Sequence, residues 1–503
     1  MRRAVGVLLA LLATSALAGC GEHESRRSHA LARSTWPAPN ADLANTRRVG
    51  GPIDAASVSR LARAWAVPVE SYAATPVVVD GVVYTQDLSS SVLAIDLQSG
   101  DVRWRKRYDE LVLGPNGVNV HGGRVYGATA TKAFALDART GRQLWRRSLV
   151  ANRAEGIDMA PGFHDGSVYV STVPVNPSTS IYGPGARGTL WALDADTGAK
   201  RWTWATVPAG LWGRPEINSG GGLWHPPAFD EHGSLYVATA NPAPFPGVYG
   251  FPAGSSRPGP NRWTNAIVKL DERTGKRVWA RQVLPHDLYD WDLECPVILA
   301  DAGTRPIAVT GGKMGFVYAF DRDDGELVWK TSVGLHNGHD DDNLRAMRGE
   351  LAGFRSRTKV LPGVFGGVET QLAADADTVY VPVVNLPAVY SIAKTAEPEP
   401  FSDATGELLA LDLATGRVKW DRKLPQAVFG AATVANDLVF TTTYDGTIWA
   451  LRTRTGEIAW KARLPSNTTA TVAIAGDTLL TASTGGIPEG KTNVIAYRLR
   501  ARD

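Results

Sequence analysis

One thirteen-residue pattern recurs along almost the whole chain and constrains its fold more than any other feature. Each copy has an alternating apolar segment, an Asp, a Gly four residues later and a Trp four residues after that. Only the last copy has Arg452 in place of the Asp. The seven copies are VLAIDLQSGDVRW, AFALDARTGRQLW, LWALDADTGAKRW, IVKLDERTGKRVW, VYAFDRDDGELVW, LLALDLATGRVKW and IWALRTRTGEIAW, ending at Trp104, Trp145, Trp202, Trp279, Trp329, Trp420 and Trp460. The pattern predicts a repeated unit of strand, turn and strand.

The residue types in this pattern also indicate how the units pack. Alternation before the Asp is typical of a strand with one buried face. The Asp side chain can accept from backbone two residues later and the Gly allows positive φ, so together they turn the chain. A buried Trp removes roughly 150–250 Å² from water, which at about 25 cal/mol/Å² is several kcal/mol per copy as an upper bound. We expect each Trp to wedge one sheet against the next, as in a β-propeller.

The spacing of the tryptophans predicts the number of blades. Trp65, Trp104 and Trp145 lie about 40 residues apart, as do Trp420 and Trp460, and the longer gaps between the others are read as loop insertions. No repeat unit precedes Trp65, and the unit after Trp460 has no Trp of its own. Joining these two ends gives an all-β, eight-bladed propeller in which the N-terminal strand completes the last blade and removes the open sheet edges.

The N-terminus carries an export signal in front of this domain. Two arginines, an apolar run and small residues in MRRAVGVLLALLATSALAGC predict a signal peptide over residues 1–20. LAGC resembles the bacterial lipoprotein cleavage box, which implies a lipid on Cys20; ordinary signal cleavage nearby is the alternative. We expect a tether over residues 21–35, a propeller over 36–503, and anchoring at the outer face of the cell membrane, on the periplasmic side if there is an outer membrane.

Composition excludes several other classes of protein. The 53 basic and 50 acidic residues nearly balance, which argues against a nucleic-acid surface. No later apolar run is long enough to span a membrane, so we expect membrane contact through the lipid alone. Cys295 is the only cysteine after Cys20, and no CxxCH motif for a c-type haem is present.

From Trp36 onward the chain resembles the quinoprotein alcohol dehydrogenase superfamily, eight-bladed propellers built around pyrroloquinoline quinone (PQQ). The similar stretches include WPAPNADLANTRR, ATPVVVDGVVYTQD and GGGLWHPPAFDEHGSLYVATANP. The resemblance implies an oxidoreductase that acts on a small alcohol with PQQ, a Ca²⁺ or lanthanide ion and an external electron acceptor. Non-catalytic propellers such as the outer-membrane assembly lipoprotein share the repeat, so a scaffold that binds a protein partner is the alternative.

The resemblance places a catalytic base and a cation site in the segment PHDLYDWD. By that match Asp290 is the general base and a cation ligand, and Asp292 corresponds to the extra carboxylate of the lanthanide-type members. Side chains two residues apart in an extended segment project the same way, so both can face one cation. Asn241 in ANP corresponds to a metal-ligand Asn, and Asn176 lies where the family places a metal-binding Glu. The alternatives are a solvated acidic segment and two polar loop residues.

Two further residues match positions that contact the quinone. Trp224 corresponds to the indole on which the quinone ring stacks, and Lys313, in TGGKMG, matches the Lys or Arg that contacts the quinone oxygens. The alternatives are a tryptophan packed in the core and an exposed turn lysine.

The chain departs from the family pattern at the positions that hold the cofactor's carboxylates. Val112 and Leu113 lie where a vicinal pair of cysteines is expected, and Asn116 lies near the position of an Arg. Val368 and Glu369 replace an Asn-Trp pair, which makes Glu369 a candidate carboxylate of the central channel. Loss of a bidentate Arg contact weakens binding of a carboxylate-rich quinone.

Overall fold

The computed structural model describes residues 35–351, 357–484 and 492–501. Cys20, the predicted signal peptide and nearly all of the predicted tether therefore lie outside the described residues. Within them, nearly all regular structure is β-strand. The sheets include seven with four antiparallel strands and an eighth in which a fifth strand is added in parallel to four antiparallel strands. These eight sheets correspond to the blades that the sequence predicts.

The first four blades follow one another along the chain, each from its inner strand to its outer strand. Blade 1 comprises Val77–Val79, Val82–Gln86, Val92–Asp96 and Val102–Lys106. Blade 2 comprises Val118–His121, Arg124–Ala128, Lys132–Asp137 and Gln143–Ser148. Blade 3 comprises Gly162–His164, Ser167–Ser171, Thr189–Asp194 and Lys200–Ala205. Blade 4 comprises Ala228–Phe229, Ser234–Ala238, Ala266–Asp271 and Arg277–Gln282.

The last four blades include the one that closes the ring. Blade 5 comprises Ile298–Ala302, Arg305–Gly312, Phe316–Asp321 and Leu327–Ser332. Blade 6 comprises Ala373–Ala374, Thr378–Asn385, Thr405–Asp412 and Val418–Leu424. Blade 7 comprises Thr433–Ala435, Leu438–Thr442, Thr447–Arg452 and Ile458–Arg463, with Arg48–Val49 added in parallel to its inner strand. Blade 8 comprises Ala473–Ala475, Thr478–Ser483, Asn493–Leu499 and Leu61–Pro68.

The outer strand of blade 8 comes from the N-terminal region, as the spacing of the tryptophans predicts. Leu61–Pro68 runs antiparallel to Asn493–Leu499, with Leu61 opposite Leu499 and Pro68 opposite Asn493. The two ends of the domain are therefore held in one sheet by backbone hydrogen bonds.

The repeated tryptophans form the wedges between neighbouring blades. The indole Nε1 of Trp65 and of six repeat tryptophans, Trp104 to Trp420, donates to the carbonyl oxygen of the residue that follows the Asp, or Arg452, of the next turn, at 2.7–3.2 Å. The ring lies so close to the turn Gly that a Cβ on Gly275 would lie 2.5 Å from Trp202. This contact and the positive φ of Gly275 explain why a Gly recurs there. The seven donor–acceptor pairs are Trp65–Leu97, Trp104–Ala138, Trp145–Ala195, Trp202–Glu272, Trp279–Arg322, Trp329–Leu413 and Trp420–Thr453.

The long insertions fold into short elements outside the eight sheets. Two small antiparallel ladders pair Val175–Asn176 with Ser180–Ile181 and Ser219–Gly220 with Pro242–Ala243. The other elements among the described residues are a sheet of Thr358–Val360, Ala388–Ser391 and Thr395–Pro398, the α-helix Asp342–Met347, and the 3₁₀ turns Val58–Arg60, Leu211–Gly213 and Phe401–Asp403. Across the described ranges, no helix has the length and apolar character needed to cross a membrane.

Candidate functional site

The segment that joins blades 4 and 5 presents a carboxylate on a strained backbone. Asp290 has φ of +61°, which is uncommon for a residue with a side chain. Its neighbours hold this conformation: the Asp287 carboxylate accepts from the backbone N–H groups of Tyr289 and Trp291, at 2.8 and 2.7 Å. The hydroxyl of Tyr390 donates to the carbonyl oxygen of Tyr289, at 2.7 Å. The strain is therefore compensated by contacts from several directions, as is common at functional sites.

Three side chains donate to the Asp290 carboxylate. Its Oδ1 accepts from Asn241 Nδ2 at 2.7 Å and from the Tyr182 hydroxyl at 2.9 Å, while its Oδ2 accepts from Lys313 Nζ at 3.2 Å. Asp292 is bound by two of the same residues: its Oδ1 accepts from the backbone N–H of Asn241 at 2.7 Å and its Oδ2 from Lys313 Nζ at 2.8 Å. Asn241, Asp290, Asp292 and Lys313 thus form one buried cluster.

Carboxyl groups outnumber cationic groups at this cluster. Lys313 Nζ also lies 3.7 Å from Glu294, and Glu369 faces the same space. Burial raises the pKa of Asp290 well above its usual range, the Lys313 ammonium opposes this rise, and Asp292 adds to it. Burial acts to lower the pKa of Lys313, but the surrounding carboxylates outweigh it and raise that pKa well above its usual range. One ammonium group therefore lies among four carboxyl groups. Binding of a further cation would stabilise their ionised forms.

Two adjoining cavities open onto the cluster. The larger, about 600 Å³, is lined by Asp290, Lys313, Trp224 and Tyr182 together with apolar side chains such as Phe245. The smaller, about 420 Å³, is lined by Glu294, Glu369, His225 and several aromatic side chains. Leu113, Trp224, Lys313 and Phe365 line both cavities. A planar ligand and a small substrate can therefore share a continuous space beside Asp290.

Comparison with known proteins gives this arrangement a context. Residues 160–333 match the family model described as "Glucose/ethanol/alcohol dehydrogenase, beta-propeller domain", and residues 313–501 match that described as "Outer membrane protein assembly factor BamB". The quinohemoprotein alcohol dehydrogenase of Comamonas testosteroni is 29% identical over 84% of this chain and 68% of its own length. The chain is a PQQ-repeat β-propeller homologous to the quinoprotein alcohol dehydrogenases.

Other relatives of this PQQ-repeat propeller also have names that describe them as dehydrogenases. Quinohemoprotein alcohol dehydrogenase ADH IIB of Pseudomonas putida is 29% identical over 78% of the chain and 64% of its own length. The putative dehydrogenase XoxF of Paracoccus denitrificans is 26% identical over 88% of the chain and 84% of its own length. The chain spans about two thirds of the length of the quinohemoprotein relatives.

Solved structures show the same fold. The crystal structure of the Comamonas testosteroni quinohemoprotein alcohol dehydrogenase superposes with a TM-score of 0.79 at 25% identity, covering 95% of this chain and 83% of that one. A europium-containing methanol dehydrogenase superposes with a TM-score of 0.78 at 20% identity, covering 94% of this chain and 100% of that one. BamB from Moraxella catarrhalis reaches a TM-score of 0.55 at 16% identity, covering 87% of this chain and 99% of that one.

The structure brings together five of the six residues that the sequence singles out for the site. Asn241, Asp290, Asp292 and Lys313 are in direct contact, and Trp224 lines both cavities beside them. Asn176 lies in a small hairpin, and its side-chain hydrogen bonds are to other parts of the described chain than the cluster. Its Nδ2 donates to the carbonyl oxygen of Glu155 at 3.1 Å, which ties the hairpin to a preceding segment, and its Oδ1 accepts from the backbone N–H of Ser178 in the hairpin loop at 3.1 Å. Its role as a cation ligand stays a prediction.

Two residues of the cluster were not among the expected site residues. Tyr182 lies in the insertion between the second and third strands of blade 3, and its sequence context, TSIYGPG, has no periodicity that would point to a site. Glu294 lies two residues beyond Asp292. Asp290 and Asp292 are grouped because side chains two residues apart in an extended segment project the same way. Glu294 is two residues further on, so the same reasoning would have added it to the predicted site.

The residues at the positions of the family's cofactor contacts form hydrogen bonds with other parts of the chain. Asn116 Nδ2 donates to the carbonyl oxygen of Asp87 at 2.8 Å, and the backbone N–H of Leu113 donates to Asp158 at 2.8 Å. The Leu113 side chain lines both cavities, so an aliphatic surface stands where the cysteine pair was expected. Glu369 lines the smaller cavity, and burial raises its pKa to about 7.

The residues present fit a hard cation and a flat, largely apolar ligand. Glu294 Oε1, Glu369 Oε2 and the Trp224 indole nitrogen are buried and have no hydrogen-bond partner among the described residues. Carboxylate and amide oxygens are the ligands that Ca²⁺ takes in proteins. The orphaned carboxylate oxygens therefore favour an added positive charge, and the indole beside the cavity offers a planar surface together with a free donor.

Proposed function

We propose that this protein is an exported, lipid-anchored oxidoreductase that oxidises an alcohol with PQQ and a Ca²⁺ or lanthanide ion. One observation carries the proposal: a buried carboxylate, Asp290, is held against the Lys313 ammonium at the wall of a cavity that Trp224 lines. Supporting it, the named relatives are quinohemoprotein alcohol dehydrogenases, and a europium-containing methanol dehydrogenase has the same fold. An external electron acceptor would complete the reaction.

Within this site Asp290 would act as the general base. Two donors already occupy its Oδ1, whereas Oδ2 accepts only from Lys313. Oδ2 therefore has a lone pair left for the proton of a substrate hydroxyl. Asn241, Asp290 and Asp292 would hold the cation, Trp224 would support the quinone ring, and Lys313 would face its oxygens.

The quinone supplies chemistry that the side chains cannot. Bound PQQ would provide the acceptor for the hydride from the alcohol carbon and would pass the two electrons to the external acceptor. The protein's part is to place the hydroxyl beside Asp290, to orient the ring and to exclude water from the buried carboxylate.

A reconstitution assay tests this function. Apoprotein is incubated with PQQ and either Ca²⁺ or a lanthanide, and oxidation of a panel of small alcohols is followed with an artificial electron acceptor. We expect turnover that requires PQQ, a cation and the alcohol together.

Turnover absent from every combination would leave the second candidate, a non-catalytic propeller lipoprotein that binds a protein partner through the same cavity. The match of residues 313–501 to the BamB model favours that candidate.

The charge of Asp292 should affect a trivalent ion more than a divalent one. Asp292→Ala removes one anionic oxygen ligand from the proposed cation set, and affinity for hard cations rises with the charge of the ligands. We expect the variant to lose more affinity for a lanthanide than for Ca²⁺, measured by calorimetric titration of each ion. Equal losses for the two ions would show that Asp292 does not ligate the cation.

The anchor at Cys20 is tested separately from the chemistry. Cys20→Ser removes the thiol to which the lipid would be attached, so we expect the variant to appear in the soluble export fraction or to remain an unprocessed precursor. Fractionation and mass spectrometry of the N-terminus check this. Unchanged processing and membrane association would contradict lipid attachment, while leaving the oxidoreductase proposal intact.

A further inference from the structure

The hydroxyl of Tyr182 lies among the oxygens that the proposed cation would need. Tyr182 Oη is 2.9 Å from Asp290 Oδ1 and 3.2 Å from Asn241 Oδ1. Its ring packs edge-on against Phe245, with 5.2 Å between centroids, and its backbone N–H donates to the carbonyl oxygen of Pro174 at 2.7 Å. Tyr182 is thus fixed in the cluster by its own packing and backbone.

These distances match the spacing of oxygens around a hard cation. Ca²⁺ binds six to eight oxygens at about 2.3–2.6 Å, so neighbouring oxygens in such a shell lie about 3 Å apart. Tyr182 Oη, Asn241 Oδ1 and Asp290 Oδ1 have this separation. A phenol oxygen also has two lone pairs and one hydrogen, so it can offer a lone pair to a cation and still donate its hydrogen to a neighbouring acceptor.

Asn241, Asp290 and Asp292 together offer fewer side-chain oxygens than the roughly six to eight that Ca²⁺ takes. Among the described residues, no group of three or more His, Cys, Asp or Glu side chains is arranged to hold a metal ion. Both ends of the Asn176 amide, at the position of the family's glutamate, already have partners: the carbonyl oxygen of Glu155 and the backbone N–H of Ser178. Tyr182 directly follows the second strand of the Asn176 hairpin, Ser180–Ile181, and its hydroxyl oxygen lies in the cluster.

We propose that Tyr182 is an additional oxygen ligand of the cation, which it binds together with Asn241, Asp290 and Asp292. This inference rests on the proposed function, because it assumes that a hard cation binds there. The ligand class is a Ca²⁺-sized divalent ion or a trivalent lanthanide. Tyr182 would supply a neutral oxygen where a carboxylate is missing, so the site keeps its coordination number with less negative charge.

Terbium is a suitable probe because its emission reports both binding and hydration. Tb³⁺ alone is titrated into wild-type protein and into Tyr182→Phe, and the emission lifetimes in H₂O and D₂O are compared to count bound waters. We expect Tyr182→Phe to weaken Tb³⁺ binding by about 10-fold, the lower end of effects seen around metal sites. We also expect one more water on the bound ion, because solvent takes the place of the lost hydroxyl.

Tyr249→Phe is the matched control. Tyr249 lines the same cavity but is 80% exposed, so its hydroxyl is not expected to ligate the ion, and its variant should bind Tb³⁺ as the wild type does. Thermal melting without Tb³⁺ establishes that both variants are folded.

Each outcome has a distinct meaning. Unchanged affinity and unchanged hydration in Tyr182→Phe would overturn the inference and leave the proposed cation site standing. Tighter binding would overturn it as well, because it would show that the hydroxyl competes with the ion. Failure of wild-type protein to bind Tb³⁺ would overturn both this inference and the cation part of the proposed function.

Discussion

Asp290→Asn should abolish PQQ-dependent alcohol oxidation while preserving the fold and the cavity. An amide of the same shape keeps an oxygen that can accept from Tyr182, but it cannot take the proton of a substrate hydroxyl. General bases typically contribute about 10²–10⁴-fold to rate, so we expect kcat to fall by at least about 100-fold. The measurement is dye-linked oxidation by reconstituted protein, with PQQ binding followed in parallel.

A change at the surface provides the control for this loss. Asp196 pairs with Arg124, and its side chain is 71% exposed, so Asp196→Asn should leave turnover unchanged. Retention of turnover by Asp290→Asn, with normal PQQ binding, would show that another group removes the proton. A loss of both PQQ binding and turnover would show that Asp290 contributes to binding the cofactor rather than to proton transfer.

Deletion of residues 50–67 should have the largest effect on stability. It removes nearly all of Leu61–Pro68, the outer strand of blade 8, and exposes the edge of Asn493–Leu499. It also removes Trp65, whose indole donates to Leu97 at 3.0 Å and covers Gly100 in blade 1. Burial of one Trp and a strand ladder is worth several kcal/mol, which is comparable with the total stability of about 5–15 kcal/mol of a typical domain.

We expect the shortened chain to lose cooperative thermal unfolding or to aggregate through the open edge. Circular dichroism melting and size-exclusion chromatography check this. Deletion of residues 21–33, in the predicted tether, is the control and should leave the melting transition unchanged. A cooperative transition at the wild-type temperature after removal of residues 50–67 would contradict closure of the ring by this strand.

The repeat made most of the fold predictable from the sequence. The Asp, Gly and Trp of each unit act locally, so the turn and the wedge could be inferred one copy at a time. The indole–carbonyl hydrogen bonds between neighbouring blades are a detail that the structure adds. The closing strand could be inferred because Trp65 had no unit of its own. These features depend on short-range chemistry or on counting, which a single sequence provides.

The site was predictable only where it follows a family motif. The resemblance singled out Asn241, Asp290, Asp292 and Lys313, which the structure brings into contact. Tyr182 enters from an insertion whose path depends on long-range packing, such as the contact of its ring with Phe245. No local pattern in the sequence encodes that path.

Asn176 is a residue whose predicted role rests on position alone. Its position in the sequence matches a metal-ligand glutamate, and its amide bonds to the carbonyl oxygen of Glu155 and to the backbone N–H of Ser178. Asn side chains commonly bond to nearby backbone, as this one does to Ser178. Because Asn stands where the family has a glutamate, the motif alone does not establish a cation ligand there.

The most direct test of the oxidoreductase proposal is a titration of the purified protein with PQQ in the presence of Ca²⁺ or a lanthanide. Absorption spectroscopy and thermal melting detect the binding. We expect a change in the PQQ spectrum and, at a PQQ concentration 100 times the Kd, a stabilisation of about 2.7 kcal/mol. A spectrum that is unchanged with either cation, together with an unchanged melting temperature, would contradict the oxidoreductase proposal.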